Sequence, residues 1–224
     1  MTLDTNRIKA LCFDVDGTLS DTDDQFVEKL TKWLRPVRFL FPQKDPYPTA
    51  RRLVMFTETP GNYLYGIPDR LGIDDEISSI GDTIYRWGLG KGRKPFKLIP
   101  GVKEMLDQFH GRFPMAVVSA RGGRSTKWFL EQFELTPLFE TIVTAQTCEH
   151  TKPYPDPIQW AAEQMNVRPE NCLMIGDTTV DIRAAQAAGA QSIGVLCGFG
   201  EEEELRRAGA DLILESTKFL ATLF

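Results

Sequence analysis

The sequence predicts an α/β fold: a parallel sheet covered on both faces by helices and interrupted by a long inserted segment. Three observations predict it. Short apolar runs alternate with amphipathic stretches through most of the 224 residues, the pattern of strand–helix–strand units. Pairs of acidic residues stand directly after two of those runs, where open parallel sheets carry their sites. One interval, from about Asp21 to about Lys97, is far too long for an ordinary strand-to-helix connection.

Each element has its own warrant. Ile8 to Val15 is the first apolar run and reads as a buried strand. The long interval follows, with helical stretches around Gln25 to Leu34 and Asp75 to Trp87. It also has proline- and glycine-rich pieces at Phe41 to Pro48 and Thr59-Pro60-Gly61. It reads as an inserted, mostly helical domain over 21–97, leaving 1–20 and 98–224 as the core. The linkers fall near Ser20 and near Lys97 to Pro100. Val102, Met105, Leu106 and Phe109 then repeat at helical spacing. Met115 to Ala120 is the second strand and Ser125 to Phe133 the next helix. Thr141 to Ala145 is the third strand, followed by a helix over Pro157 to Met165. Cys172 to Ile175 is the fourth strand, and the alanine-rich helix Asp181 to Ala188 stops at Gly189. Ser192 to Leu196 is the fifth strand. Glu201 to Ala208 places glutamates ahead of Arg206 and Arg207, the order that suits the helix dipole of a solvated helix. Leu212 to Leu214 is a last short apolar run.

Composition excludes several classes. At 42% hydrophobic and 25% charged residues, the chain is neither disordered nor fibrous. No apolar run approaches the roughly 18 residues a membrane span needs. Met1 to Lys9 is polar and mixed in charge, unlike a secretory leader. A net charge of −5 argues against a general nucleic-acid binder. Cys12, Cys148, Cys172 and Cys197 have no CxxC spacing, and His110 stands far from His150. A disulfide scaffold or structural zinc is not expected, and a reducing, cytoplasmic compartment is.

The chemistry is concentrated after the strands. The first strand ends in Asp14-Val15-Asp16-Gly17-Thr18. Alternate residues of a strand point to opposite sides, but a turn at Gly17 brings both acids toward one pocket. The same Asp-Gly pair also closes hairpins. The fourth strand ends in Gly176-Asp177-Thr178-Thr179-Val180-Asp181. Capping of the following helix accounts for one of those acids, but not for acids at both strand ends. If the two strands are neighbours, Asp14, Asp16, Asp177 and Asp181 converge, and their mutual repulsion calls for a hard cation with oxygen ligands, magnesium. Ser119 ends the second strand before Ala120-Arg121-Gly122-Gly123. A hydroxyl and free N–H groups at a helix start form an anion-binding nest, although a serine there also serves as a plain cap. Lys152 lies in the proline-stiffened loop Thr151 to Pro157, at the same sheet edge or simply in solvent.

These four pieces, in this order, resemble the haloacid dehalogenase-like hydrolase superfamily. Its DxDGT motif is matched at Asp14 to Thr18, its strand-ending hydroxyl at Ser119, its lysine before proline at Lys152-Pro153, and its GDxxxD at Gly176 to Asp181. Gly198-Phe199-Gly200 and Ala208 to Asp211 resemble the phosphoglycolate phosphatase-like branch. The resemblance implies a Rossmann-like core with strand order 5-4-1-2-3 and a helical cap. It implies Asp14 as nucleophile and Asp16 as acid and then base. Magnesium is expected between Asp14, the Asp16 carbonyl and Asp177, with Asp181 in support behind them. Ser119, the Ala120 N–H and Lys152 would hold the phosphoryl group.

The expected activity is a magnesium-dependent phosphatase acting on a small phosphorylated metabolite, with phosphoglycolate as the guide. The expected assembly is a monomer or homodimer with no nucleic-acid or membrane partner. A phosphotransferase or sugar-phosphate mutase is the second reading, and a non-catalytic binding protein the third. Two departures stand out. Many relatives carry Asn after the motif-two hydroxyl where this chain has Ala120-Arg121. The inserted segment matches no substrate signature, although Arg51, Arg52, Lys91, Arg93 and Lys94 are candidates for a second anionic group, and Tyr63 and Tyr65 for a roof.

Overall fold

Beta-strands β1 (Ala10–Phe13), β2 (Met115–Val118), β3 (Thr141–Val143), β4 (Cys172–Gly176), β5 (Gln191–Val195) and β6 (Leu212–Leu214) form one parallel sheet in the order β3-β2-β1-β4-β5-β6. The structure is a computed structural model that describes residues 3–21, 30–41, 44–47, 49–50 and 96–224. The helices between strands are α1 (Val102–Phe109), α2 (Gly123–Gln132), α3 (Asp156–Gln164), α4 (Thr179–Ala188) and α5 (Glu202–Ala208).

The expected five-strand order is present, and the sixth strand extends it at the β5 edge. Leu212, Ile213 and Leu214 pair with Ile193, Gly194 and Val195, after α5 has carried the chain back to the start of the sheet. Several expected strands overrun the observed ones. Ile8 and Val15 are buried but lie outside the β1 ladder, and Ala120 is exposed beyond the end of β2. Apolarity marks burial, and burial extends past the last ladder bond.

Alternation along β1 builds two cores. Leu11 and Phe13 face one layer with Leu106, Phe109, Phe129 and Leu220. Ala10 and Cys12 face the other with Ile158, Ala161, Ala184 and Ala185. The second layer is alanine-rich, so α3 and α4 approach the sheet closely. Cys12 and Cys172 are buried there, and all four cysteines are free thiols. On the solvent side, Glu202 pairs with Arg206 and Glu203 with Arg207 along α5.

The chain leaves and re-enters the core through adjacent segments. Ser20 bridges Leu98 in antiparallel sense, and the Asp21 N–H donates to the Lys97 carbonyl at 2.8 Å. The two expected linkers are therefore hydrogen-bonded to each other. Residues 30–34 are helical and Arg35–Leu40 continues as a 3-10 helix. The remaining helical expectation over Asp75 to Trp87 lies outside the described residues. No helix among the described residues is long and apolar enough to cross a membrane.

Candidate active site

Because β1 lies between β2 and β4, its carboxyl end has a neighbouring strand end on each side. Asp14 follows β1 directly, and its N–H donates to the Ile175 carbonyl at 2.9 Å. Gly17 takes φ 74°, the left-handed region where a side chain is strained. The Val15 carbonyl accepts from the N–H groups of Leu19 at 2.9 Å and Ser20 at 2.7 Å. The Asp-Gly pair thus makes a tight loop at a parallel strand end rather than a hairpin.

Lys152 comes from the loop after β3 and is only 4% exposed. Its Nζ donates to Asp14 Oδ1 at 2.7 Å and to Asp181 Oδ1 at 2.5 Å. Asp181 sits in the first turn of α4, where its Oδ2 accepts from the N–H of Thr178 at 3.1 Å and from its hydroxyl at 2.8 Å. Thr178 is the N-cap of that helix. Capping and site chemistry, which the sequence leaves as alternatives, are the same contact here. Asp177 is fully buried. Its Oδ2 accepts from the Phe199 N–H at 2.7 Å, and its Oδ1 from the Thr18 hydroxyl at 3.4 Å.

Carboxylate oxygens of Asp14, Asp177 and Asp181 lie within 4.8 Å of one another. Burial pushes the Asp14 carboxyl up from 3.8 to about 7. The Lys152 ammonium pulls against that shift, while Asp181 and Asp16 add to it. Burial alone would lower Lys152, but the charges of Asp14 and Asp181 outweigh it and hold the ammonium above its ordinary value. A buried group of hard oxygen donors held this close suits a hard divalent cation.

Asp16 does not join that group. Its carboxylate turns toward the β2 side, where Arg121 Nε donates to Oδ2 at 2.9 Å and Arg121 Nη2 donates to Oδ1. The expected convergence of four acids is therefore three acids plus one ion pair, because a guanidinium two residues past Ser119 competes for the fourth. Ser119 is buried at the end of β2, and its Oγ accepts from the Arg121 N–H at 3.1 Å. It shapes the loop and does not cap α2, whose N-cap is Gly122. Two N–H groups of the expected nest have partners within the chain. The Arg121 N–H is taken by Ser119, and the Gly123 N–H donates to Gln146 Oε1 at 2.9 Å.

Some contributors carry little sequence signal. Thr217, near the C-terminus, donates to the Thr18 carbonyl at 2.6 Å. The Cys197 thiol reaches the Gly17 carbonyl at 3.5 Å. Gly198 carries a clearer one, because a Cβ there would meet Asp177 Oδ2 and stand 2.6 Å from the Gly17 carbonyl. Arg51, Arg52, Tyr63, Tyr65, Lys91, Arg93 and Lys94 lie outside the described residues.

A family model described as haloacid dehalogenase-like hydrolase matches residues 11–195. The chain is 28% identical over 219 residues to a phosphoglycolate phosphatase of Photobacterium profundum, covering 93% of this chain and 92% of that one. It is 24% identical over 217 residues to the pyrophosphatase PpaX of Oceanobacillus iheyensis, covering 96% of each. A haloacid dehalogenase-like family hydrolase from Streptococcus pneumoniae superposes with TM-score 0.69 at 23% identity, covering 98% of this chain and all of that one. A predicted phosphatase from Clostridium acetobutylicum superposes with TM-score 0.66 at 25% identity, over 96% of this chain and 98% of that one.

Proposed function

Since the chain belongs to the haloacid dehalogenase-like hydrolase family, we propose that it is a magnesium-dependent phosphatase. Its substrate is a small phosphorylated metabolite, a phosphoglycolate-like monoester, hydrolysed through an aspartyl-phosphate. One observation carries this reading: a buried lysine bonded to Asp14 at 2.7 Å, with Asp177 beside them at the next strand end. A fold needs no such cluster for stability, since buried ion pairs contribute little net.

Asp14 is the nucleophile. An Asp14 oxygen attacks phosphorus, and the bond from phosphorus to the ester oxygen breaks. Asp16 gives its proton to the departing oxygen. In the second step Asp16 takes a proton from water, the hydroxide attacks phosphorus, and inorganic phosphate leaves with Asp14 restored. Lys152 and Ser119, with the Ala120 N–H, hold the phosphoryl oxygens as charge moves between them. Asp181 commits both oxygens to Lys152 and Thr178, so it orients the lysine from behind. Asp14, the Asp16 carbonyl and Asp177 would hold magnesium, which neutralises the crowded carboxylates and the incoming phosphate. Segment 21–97 is the cap in this reading, entered and left through the bridge between Ser20 and Leu98. Four free cysteines suit a reducing, cytoplasmic setting.

The test is phosphate release from phosphoglycolate, pyrophosphate, sugar phosphates and p-nitrophenyl phosphate, with magnesium and with a chelator. Metal-dependent release with a preferred substrate is expected. Silence across the panel overturns the reading.

A further inference from the structure

Arg121 occupies a built position that the proposed chemistry does not use. One edge of its guanidinium, Nε and Nη2, rests on the Asp16 carboxylate. Its face lies against the Phe96 ring, 4.8 Å from the centroid. Phe96 is itself pinned: its N–H donates to Gln132 Oε1 at 3.1 Å, and its carbonyl accepts from Gln132 Nε2 at 2.9 Å. Trp128 and Phe129 pack edge-on against the same ring. The guanidinium is therefore fixed by α2 and by the segment that returns to the core. Its Nη1 is buried and makes no hydrogen bond among the described residues.

The partner is less confined. The Asp16 side chain is 30% exposed against 14% for Arg121. A second carboxylate or a phosphate offers the guanidinium the same two-point fork as Asp16, so exchange of one for the other is close to even. A carboxylate or phosphate on a substrate already anchored by its phosphoryl group is presented at high effective concentration and wins that exchange.

We propose that Arg121 gates Asp16: it holds the Asp16 carboxylate until a second anionic group of the substrate replaces it on the guanidinium, which frees Asp16 to take a proton from solvent and pass it to the departing oxygen. This rests on the phosphatase reading above. Arg121 would thus be a positioning residue for Asp16 and the determinant of preference for substrates with two anionic groups, carboxylate or phosphate.

The experiment compares phosphoglycolate, pyrophosphate and ethyl phosphate, the last with and without free acetate. The wild type should prefer the two doubly anionic substrates mainly through kcat. Acetate, at concentrations on the order of 0.1 M, should raise kcat on ethyl phosphate by supplying the missing anion in trans. Arg121→Gln should shrink the preference by about 10- to 100-fold, the range for losing charge-assisted hydrogen bonds, and should abolish acetate activation. Preference for phosphoglycolate alone or pyrophosphate alone identifies which anion fits. Arg121→Lys, which keeps the charge without the fork, should retain part of the preference, and it stands in if the glutamine variant fails to fold. Equal losses on all three substrates, or no acetate effect on the wild type, overturn the gate and leave the phosphatase reading intact. A wild type silent on every substrate overturns both.

Discussion

At the residue scale, Asp14 and Lys152 define each other. A carboxylate held at about 7 by burial stays protonated in the metal-free site through most of the acidic range. Its ordinary value is 3.8, so the stability it contributes as the protonated form is complete below that pH and is lost as pH rises through about 7. Lys152 behaves in the same sense, at higher pH. Its raised value keeps the ammonium charged, and its contribution is lost only well into alkaline solution. Magnesium binding must displace the Asp14 proton. Apparent affinity for magnesium should therefore climb between about pH 5 and pH 7 and level off above. Calorimetric titration at several pH values checks this; a flat profile would contradict the assignment of Asp14 as a ligand. Asp14→Asn should lower turnover by about a thousandfold or more, as loss of a nucleophile does. Phosphate release at saturating magnesium measures it, and substantial residual activity would remove Asp14 as the nucleophile.

At the element scale, the start of α4 and the loop after β5 carry the site. Thr178 caps α4 and binds Asp181 with the same hydroxyl. Thr178→Ala should cost about 1 kcal/mol of stability, read by denaturant unfolding, and should also lower activity, because Asp181 then holds Lys152 less firmly. A cap with no part in the site would show the first effect alone. Gly198 lets the β5 loop pass over Asp177. Gly198→Ala should weaken magnesium affinity by about 10- to 100-fold, the usual cost of disturbing residues that orient a metal ligand. Unchanged affinity in a folded variant would separate this loop from the metal.

At the scale of the whole molecule, sheet order is what makes the four motifs one site. The chain separates Asp14 from Lys152 by 138 residues and Thr18 from Thr217 by 199. Placing β1 between β2 and β4 collapses those separations to hydrogen-bond distance. A ligand bound across these strand ends couples to global folding. Saturating magnesium, at about 100 times its dissociation constant, should add about 2.7 kcal/mol to the stability of the folded chain. Thermal melts with magnesium and with chelator test this, and the gain should be smaller at pH 5 than at pH 8 because protons compete at Asp14.

The sequence by itself determined the alternation of strands and helices. The strand ends carrying Asp14, Ser119 and Asp177 were legible because each apolar run stops where a polar or acidic residue begins, and solvent exclusion enforces that boundary. The Lys152 loop was legible only beside the other three motifs, since a lone lysine has no periodic signal. Tertiary structure decided the rest. It paired β6 at the edge, bonded the Gly123 N–H to Gln146, and braced Thr18 with Thr217 from the far end of the chain. It also sent Asp16 to Arg121 instead of to the other acids. Periodicity reports which residues avoid water; it does not report which of several nearby donors a carboxylate meets. That choice depends on distances of a few ångströms, and only the packed sheet sets them.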